Sequence, residues 1–339
     1  MERCIFFSYC LLWKGDCHIM KFLRIVGIVL LISIALAIIL TGGWILRMRS
    51  ADPVKILERN STIQEVVYDS TYQVALRKEQ RIYRDISLVT GEPDTIRCTI
   101  SLPESVPESG LPVLIILGGL EVGRESLRYI PYHGQNILIA YQYPYSPRYW
   151  YQGSPLRQIP AIQRAALKVP SQTVTLGRWM RRQSWWSGTP VSLLGYSFGA
   201  MFVPAIHSVS DPQEGIFGST VLAYGGADLS ILFHANLELP EPLRSLGAFL
   251  LETAVYPLEP LHHLNRMSGN ILVMNGLKDD QVPGASWKLL QNRISSPKTV
   301  KLLDRGHMHP KKKELTLQIV RISQEWLADQ GAINAIPWY

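Results

Sequence analysis

The sequence predicts an α/β domain, a mostly parallel central sheet with helices on both faces, preceded by one N-terminal transmembrane helix. Three observations predict it. Short continuous apolar runs bounded by turn residues recur at 112–117, 137–141, 191–194, 219–223, 271–274 and 299–303. Stretches long enough for helices lie among them, at 159–182, 199–209, 285–294 and 314–329. A run of 22 residues without a charge stands at 25–46.

The apolar runs read as strands because a strand covered by helices on both faces loses its period-two alternation. Strands that alternate with helices imply crossovers and hence a parallel sheet. Ahead of them, 81–89 and 95–102 do alternate, and Gly91-Glu92-Pro93-Asp94 separates them, which reads as a hairpin at the sheet edge. Residues 47–80 are polar and mixed and read as a linker running into a helix, 81–330 as the domain, and 331–339 as a tail. About 290 residues remain beyond the apolar segment, enough for one large domain with a well-buried core.

The uncharged run at 25–46 is IVGIVLLISIALAIILTGGWIL. At ~1.5 Å per residue it spans ~33 Å, enough for a bilayer core of ~30 Å. A cleaved signal peptide would have a shorter apolar region and a small-x-small site, whereas this run ends in Trp44-Ile45-Leu46-Arg47. A retained single-pass anchor is expected. Arg3, Lys14, Lys21 and Arg24 precede it and Arg47, Arg49, Lys55 and Arg59 follow, so loop charge favours neither orientation. Met20-Lys21-Phe22-Leu23-Arg24 has the form of a signal-anchor start, from which we expect translation from Met20, residues 1–24 as an extension, and an exported domain.

The net charge of +7 is spread out, densest at Lys311-Lys312-Lys313 and around Arg178, Arg181 and Arg182. Neither a basic stripe with interleaved aromatics nor a nucleic-acid-reading module is found, so a nucleic-acid partner is not expected. The basic groups read as a solvated face, with attraction to anionic lipid headgroups as the sharper alternative. Cys4, Cys10 and Cys17 precede the apolar run and only Cys98 lies in the domain, with no metal-type spacing. No metal or organic cofactor is implied.

Chemistry concentrates in Val191-Ser192-Leu193-Leu194-Gly195-Tyr196-Ser197-Phe198-Gly199-Ala200, an apolar strand running through G-x-S-x-G into a helix-length segment. A tight strand-to-helix turn lifts a hydroxyl out at the carboxyl end of the strand, and its flanks must be small. With 25 glycines in 339 residues, the motif arises by chance roughly 0.1 times in such a chain. Pro204 falls inside the expected helix, where a bend is anticipated.

With this motif the chain resembles the α/β-hydrolase superfamily, particularly its dienelactone-hydrolase-like and prolyl-oligopeptidase-like catalytic domains, over about residues 80–330. The resemblance implies the order Ser, acid, His. Gly276-Leu277-Lys278-Asp279-Asp280-Gln281-Val282-Pro283 resembles the family's G-x-x-D-x-x-V-P, which places the acid at Asp279, with Asp280 and Asp228 as rivals. The strand at 299–303 followed by Asp304-Arg305-Gly306-His307 resembles the loop that carries the base, His307, with His309 as rival. Ser197 is then the nucleophile, His307 takes its proton, and Asp279 fixes the imidazole tautomer. His133, His207, His262 and His263 lack such a context and read as surface or packing residues.

The resemblance also implies an oxyanion hole, from the backbone N–H of Phe198 and from the Gly118-Gly119-Leu120 loop, Gly119 before Leu120. Leu117-Gly118 stands where many relatives have His-Gly. Two stretches bear on the substrate. Residues 229–266 form either a cap over the site or one crossover helix with a long connection, and the aromatic run 141–151 either lines a pocket or seals a loop. Three functions are consistent with these residues. They are an ester hydrolase acting on a small ester or acyl substrate, a peptidase or acyltransferase with the same triad, and a non-catalytic protein that keeps the fold.

Overall fold

The computed structural model describes residues 5–58, 62–91, 94–120, 122–145 and 155–338, with backbone alone for 5–21 and 155–157. Arg3, Cys4, Arg59, Glu92, Pro93 and the 146–151 part of the aromatic run lie outside them. The chain forms two units, Met1–Ala51 and Asp52–Tyr339.

The first unit is the helix α1 (Ile5–Ser50). Its Phe22–Ser50 part is long and apolar enough to cross a membrane, and none of it is buried against protein.

The second unit opens with α2 (Pro53–Leu57), whose first turn is capped by the Asp52 carboxylate accepting the Val54 N–H at 2.9 Å. Three antiparallel strands follow, β1 (Ile63–Ala75), β2 (Gln80–Thr90) and β3 (Thr95–Pro103). The segment expected as linker therefore contains α2 and the edge strand β1, and the 81–89 hairpin strand is interior to the sheet. Register shifts between Ile63 and Glu65 and between Val66 and Tyr68 explain why β1 does not read as a strand. Each bulge slips the pleat by one residue, so the side-chain alternation never settles on one face.

The remaining strands are β4 (Val113–Leu117), β5 (Ile137–Gln142), β6 (Val191–Tyr196), β7 (Phe217–Ala223), β8 (Ile271–Gly276) and β9 (Lys298–Leu303). The sheet order is β1-β2-β3-β5-β4-β6-β7-β8-β9, and every neighbouring pair from β5 to β9 is parallel. Their apolar runs serve two cores. Val113, Ile115 and Leu117 face one side with Val191, Leu193, Ile271 and Val273, while Leu114, Ile116, Leu194, Leu272 and Met274 face the other.

Helices cover both faces. The first core takes in α4 (Val169–Met180), α5 (Val203–Val209) and α8 (Gly284–Arg293), and the second takes in α9 (Lys313–Asp329). The helix expected over 159–182 is two, α3 (Pro155–Ala166) and α4, because Pro170 in the first turn of α4 supplies no N–H to continue the preceding turn. Residues 331–338 are not a loose tail. Ile333 is buried, Asn334 exchanges bonds with the Asn136 amide at 2.8 and 3.0 Å, and Trp338 packs edge-on against Tyr132.

Residues 229–266 hold two helices, α6 (Leu229–Asn236) and α7 (Leu243–Ala254), then short 3₁₀ turns. They are more than one crossover helix. Leu229 and Leu232 pack with Val282, Trp287 and Met201, which sets α6 beside the turn after β6.

Candidate active site

Strands β6, β8 and β9 are parallel, so their carboxyl ends lie on one edge of the sheet, and each feeds a candidate residue into the loops there. Ser197 directly follows β6 at φ 52°, the left-handed region that a non-glycine residue enters only when its surroundings hold it. The flanks explain the motif. A Cβ on Gly199 would stand 2.1 Å from the Leu117 carbonyl oxygen, and one on Gly195 2.6 Å from Val203 Cγ2. The chain then takes a 3₁₀ turn over Ser197–Met201 before α5 begins. Pro204 is therefore in the first turn of α5 rather than inside a continuous helix, where its missing N–H costs no helical bond.

Ser197, His307 and Asp279 are brought together. His307 Nε2 is 2.7 Å from Ser197 Oγ. His307 Nδ1 is 2.8 Å from Asp279 Oδ2 and 3.0 Å from Oδ1. The Asp279 side chain is wholly buried, and its Oδ1 also accepts the N–H groups of Gln281 and Val282, both at 2.9 Å, which fixes its rotamer. The loop that carries His307 is tied down by Lys312 Nζ donating to the His307 carbonyl at 2.9 Å.

The rivals take no part in these bonds. Asp280 is exposed. Asp228 caps α6, accepting from Ser230 Oγ and the Ile231 N–H. His309 lines the same cavity as Ser197, but its Nδ1 accepts the N–H of Lys311. His133, His207 and His263 are buried packing residues, and burial is the main cause that lowers each of their pKa values, to about 3, 4 and 4.

The loop after β4 passes close to Ser197. A Cβ on Gly119 would stand 4.0 Å from Ser197 Cβ, and the Gly119 carbonyl accepts the Val122 N–H at 3.1 Å. The loop and the Phe198 backbone thus flank Ser197.

Tyr143, from the aromatic run, and Tyr224, which the sequence left without a role, pack beside the site. Tyr143 Oη donates to the Gly118 carbonyl at 2.6 Å, and its ring packs edge-on to Phe198 with centroids 5.1 Å apart. Burial raises the Tyr143 pKa well beyond the ordinary tyrosine range, so the hydroxyl keeps its proton and remains a donor. With Tyr141 also fully buried, the described part of the aromatic run seals the loop and does not line the cavity. Tyr224, at φ 60° after β7, sets its ring edge-on to His307 at 5.5 Å, and its hydroxyl is pushed up to about 12 by burial and by Asp279. The signal that could have found Tyr224 is the Gly225-Gly226 pair that follows it at a strand end.

The cavity beside Ser197 has a volume of about 240 Å³. Its apolar lining includes Val122, Ile130, Met308 and Val320. No described residue from 229–266 lines it.

No family model matches the chain, and no curated protein matches it. Solved structures do. Acetyl xylan esterase 1 from a Thermoanaerobacterium species is similar at 17% identity and a TM-score of 0.54, over 83% of this chain and 92% of that one. The acetyl xylan esterase of a Paenibacillus species gives 15% and 0.55, over 82% and 94%. A puromycin-hydrolyzing peptidase of Mycobacterium tuberculosis gives 14% and 0.55, over 76% of this chain and 40% of the peptidase. The strand order, the helices on both faces and these likenesses agree, and residues 52–339 have the α/β-hydrolase fold.

Proposed function

We propose that the chain is a serine hydrolase that cleaves a carboxylic ester through an acyl-serine intermediate. The observation that carries the reading is the 2.7 Å approach of His307 Nε2 to Ser197 Oγ, with Asp279 on the far side of the same imidazole. The hydroxyl attacks the ester carbonyl carbon while its proton passes to His307 Nε2. The carbonyl electron pair moves to oxygen, and the N–H groups of Phe198 and Gly119 receive that charge. When the carbonyl re-forms, the ester C–O bond breaks and the alcohol oxygen takes the proton from His307. A water then repeats the sequence. It gives a proton to His307, its oxygen attacks the acyl carbon, and Ser197 recovers its hydrogen as the acid leaves. Asp279 stabilises the imidazolium in both halves without taking its proton.

Ester over amide is supported by coverage. The two acetyl xylan esterases are spanned for 92% and 94% of their length, and the peptidase for 40%. A fluorophosphonate should label the full-length chain at Ser197 and leave Ser197→Ala untouched. Equal labelling of both forms would remove the enzyme reading. p-Nitrophenyl esters of graded chain length should turn over faster than peptide anilides, and the reverse order would make the chain a peptidase.

We further propose that residues 25–46 of α1 are a retained membrane anchor with the domain exported; the length and apolar composition of Phe22–Ser50 support the anchor. After alkaline carbonate extraction the chain should stay with the membrane pellet. Release into the supernatant would sink the anchor.

A further inference from the structure

We propose that His309 selects the alcohol half of the ester, donating from Nε2 to an oxygen of a polar, polyhydroxylated leaving group; the inference rests on the ester reading above. The ring is held by its own loop. Its Nδ1 accepts the N–H of Lys311 at 3.1 Å, and its carbonyl accepts the Lys312 N–H at 2.8 Å and Thr316 Oγ1 at 3.0 Å. An imidazole whose Nδ1 accepts a hydrogen bond carries its hydrogen on Nε2. Among the described residues Nε2 has no partner. That N–H is therefore the polar group the ring can offer to the cavity it lines, beside Ser197 and His307.

The chemistry of the triad says which half of a substrate this donor meets. His307 Nε2 hands its proton to the departing alcohol, so that oxygen lies against His307 as the bond breaks. A residue two positions further along the same loop, in the same cavity, flanks the alcohol and not the oxyanion, whose donors come from Gly119 and Phe198. Its loop neighbours Met308 and Pro310 also line the cavity. A plain alkyl alcohol gains contact from those two and leaves the His309 N–H unmatched. His309 is half-buried, so water meets its N–H in the free site. A sugar or polyol hydroxyl replaces that water as acceptor, whereas an alkyl chain displaces it and leaves the donor unmatched.

The test uses His309→Ala and His309→Gln in the full-length protein, with the acyl group fixed as the one turned over fastest in the p-nitrophenyl series. Two esters of that acid are compared, the 6-O-ester of methyl glucoside and the hexyl ester. Loss of one neutral hydrogen bond should raise KM for the sugar ester roughly tenfold in His309→Ala. The sugar ester's KM should rise several-fold more than the hexyl ester's, with the sugar ester's kcat held, and His309→Gln, which restores an N–H donor, should recover most of that difference. Fluorophosphonate labelling of Ser197 should proceed at the wild-type rate in both variants. An unaffected sugar ester, equal losses on both esters, or slowed labelling would each overturn the role of His309. A wild-type chain that labels at Ser197 yet turns over no ester, the p-nitrophenyl series included, overturns the ester reading and this inference with it, whereas turnover of the p-nitrophenyl series but of neither alkyl ester overturns the role of His309 alone.

Discussion

Replacing His307 with alanine lowers kcat on a p-nitrophenyl ester by roughly a million-fold, the loss expected when a serine nucleophile is stranded without its base. Asp279→Asn lowers it by roughly ten-thousand-fold. The second figure follows from the bonds around that carboxylate. Asp279 Oδ1 accepts the N–H groups of Gln281 and Val282, so an asparagine placed there keeps its oxygen on those two donors. Its amide nitrogen then faces His307 Nδ1, which must become an acceptor, and the ring hydrogen moves to Nε2. An Nε2 that carries a hydrogen cannot take the one on Ser197 Oγ. The two substitutions act on one unit, so the double variant should be no slower than His307→Ala alone. Asp280→Asn, on an exposed side chain, should leave turnover within twofold. Asp228→Asn should do the same, since asparagine is as good a helix cap as aspartate. Steady-state rates of purified protein decide it: Asp279→Asn within tenfold of wild type, or Asp228→Asn falling with it, would show that the acid has been misassigned.

The parallel part of the sheet and the turn at Ser197 were legible because local and global demands coincide there. A strand buried on both faces has to be a Val/Ile/Leu run, and β4, β5, β6 and β8 are such runs with every residue up to the last one buried. G-x-S-x-G is legible for a related reason, since Gly195 and Gly199 answer contacts with Val203 and Leu117 that any side chain would violate. What stayed hidden depends on partners distant in sequence. β1 has the tyrosines and valines of a strand, but two bulges scramble its alternation. Its Tyr72–Tyr83 pair becomes visible only once β2 is laid beside it. Asp279 and Asp280 are neighbours of equal chemistry. One is turned inward by two backbone N–H groups and the other is exposed, and no pattern in the sequence records that difference. Tyr143 and Tyr224 are fixed by packing against Phe198 and His307, residues 55 and 83 positions further on. The packing of the C-terminal residues stays hidden for the same reason, as Asn334 and Trp338 find their partners about two hundred residues earlier in the chain, at Asn136 and Tyr132.

Gly199→Ala should both unfold the domain more readily and silence it. The added Cβ would stand 2.1 Å from the Leu117 oxygen and 2.6 Å from its carbonyl carbon, distances at which one backbone has to move. Leu117 cannot retreat, because it ends β4, a central strand hydrogen-bonded to β5 on one side and β6 on the other. The displacement therefore falls on the 3₁₀ turn of Ser197–Met201, whose first residue is the proposed nucleophile, already held at φ 52°. Overpacking of a rigid site costs about 1–3 kcal/mol and more where neither wall gives, and we expect the upper end here. Moving Ser197 Oγ by about 1 Å from His307 costs roughly a hundredfold in rate beyond the loss of stability. Gly284→Ala separates this steric cost from any general effect of removing a glycine. Its Cβ would meet nothing closer than Trp287 at 3.8 Å, so stability should hold or rise slightly. Thermal melting of the full-length chain in detergent, read beside p-nitrophenyl ester turnover, gives both quantities on one sample. A Gly199→Ala protein that melted and turned over like wild type would mean that the Leu117 carbonyl does not hold the turn, and the account of how Ser197 is presented to His307 would fall with it.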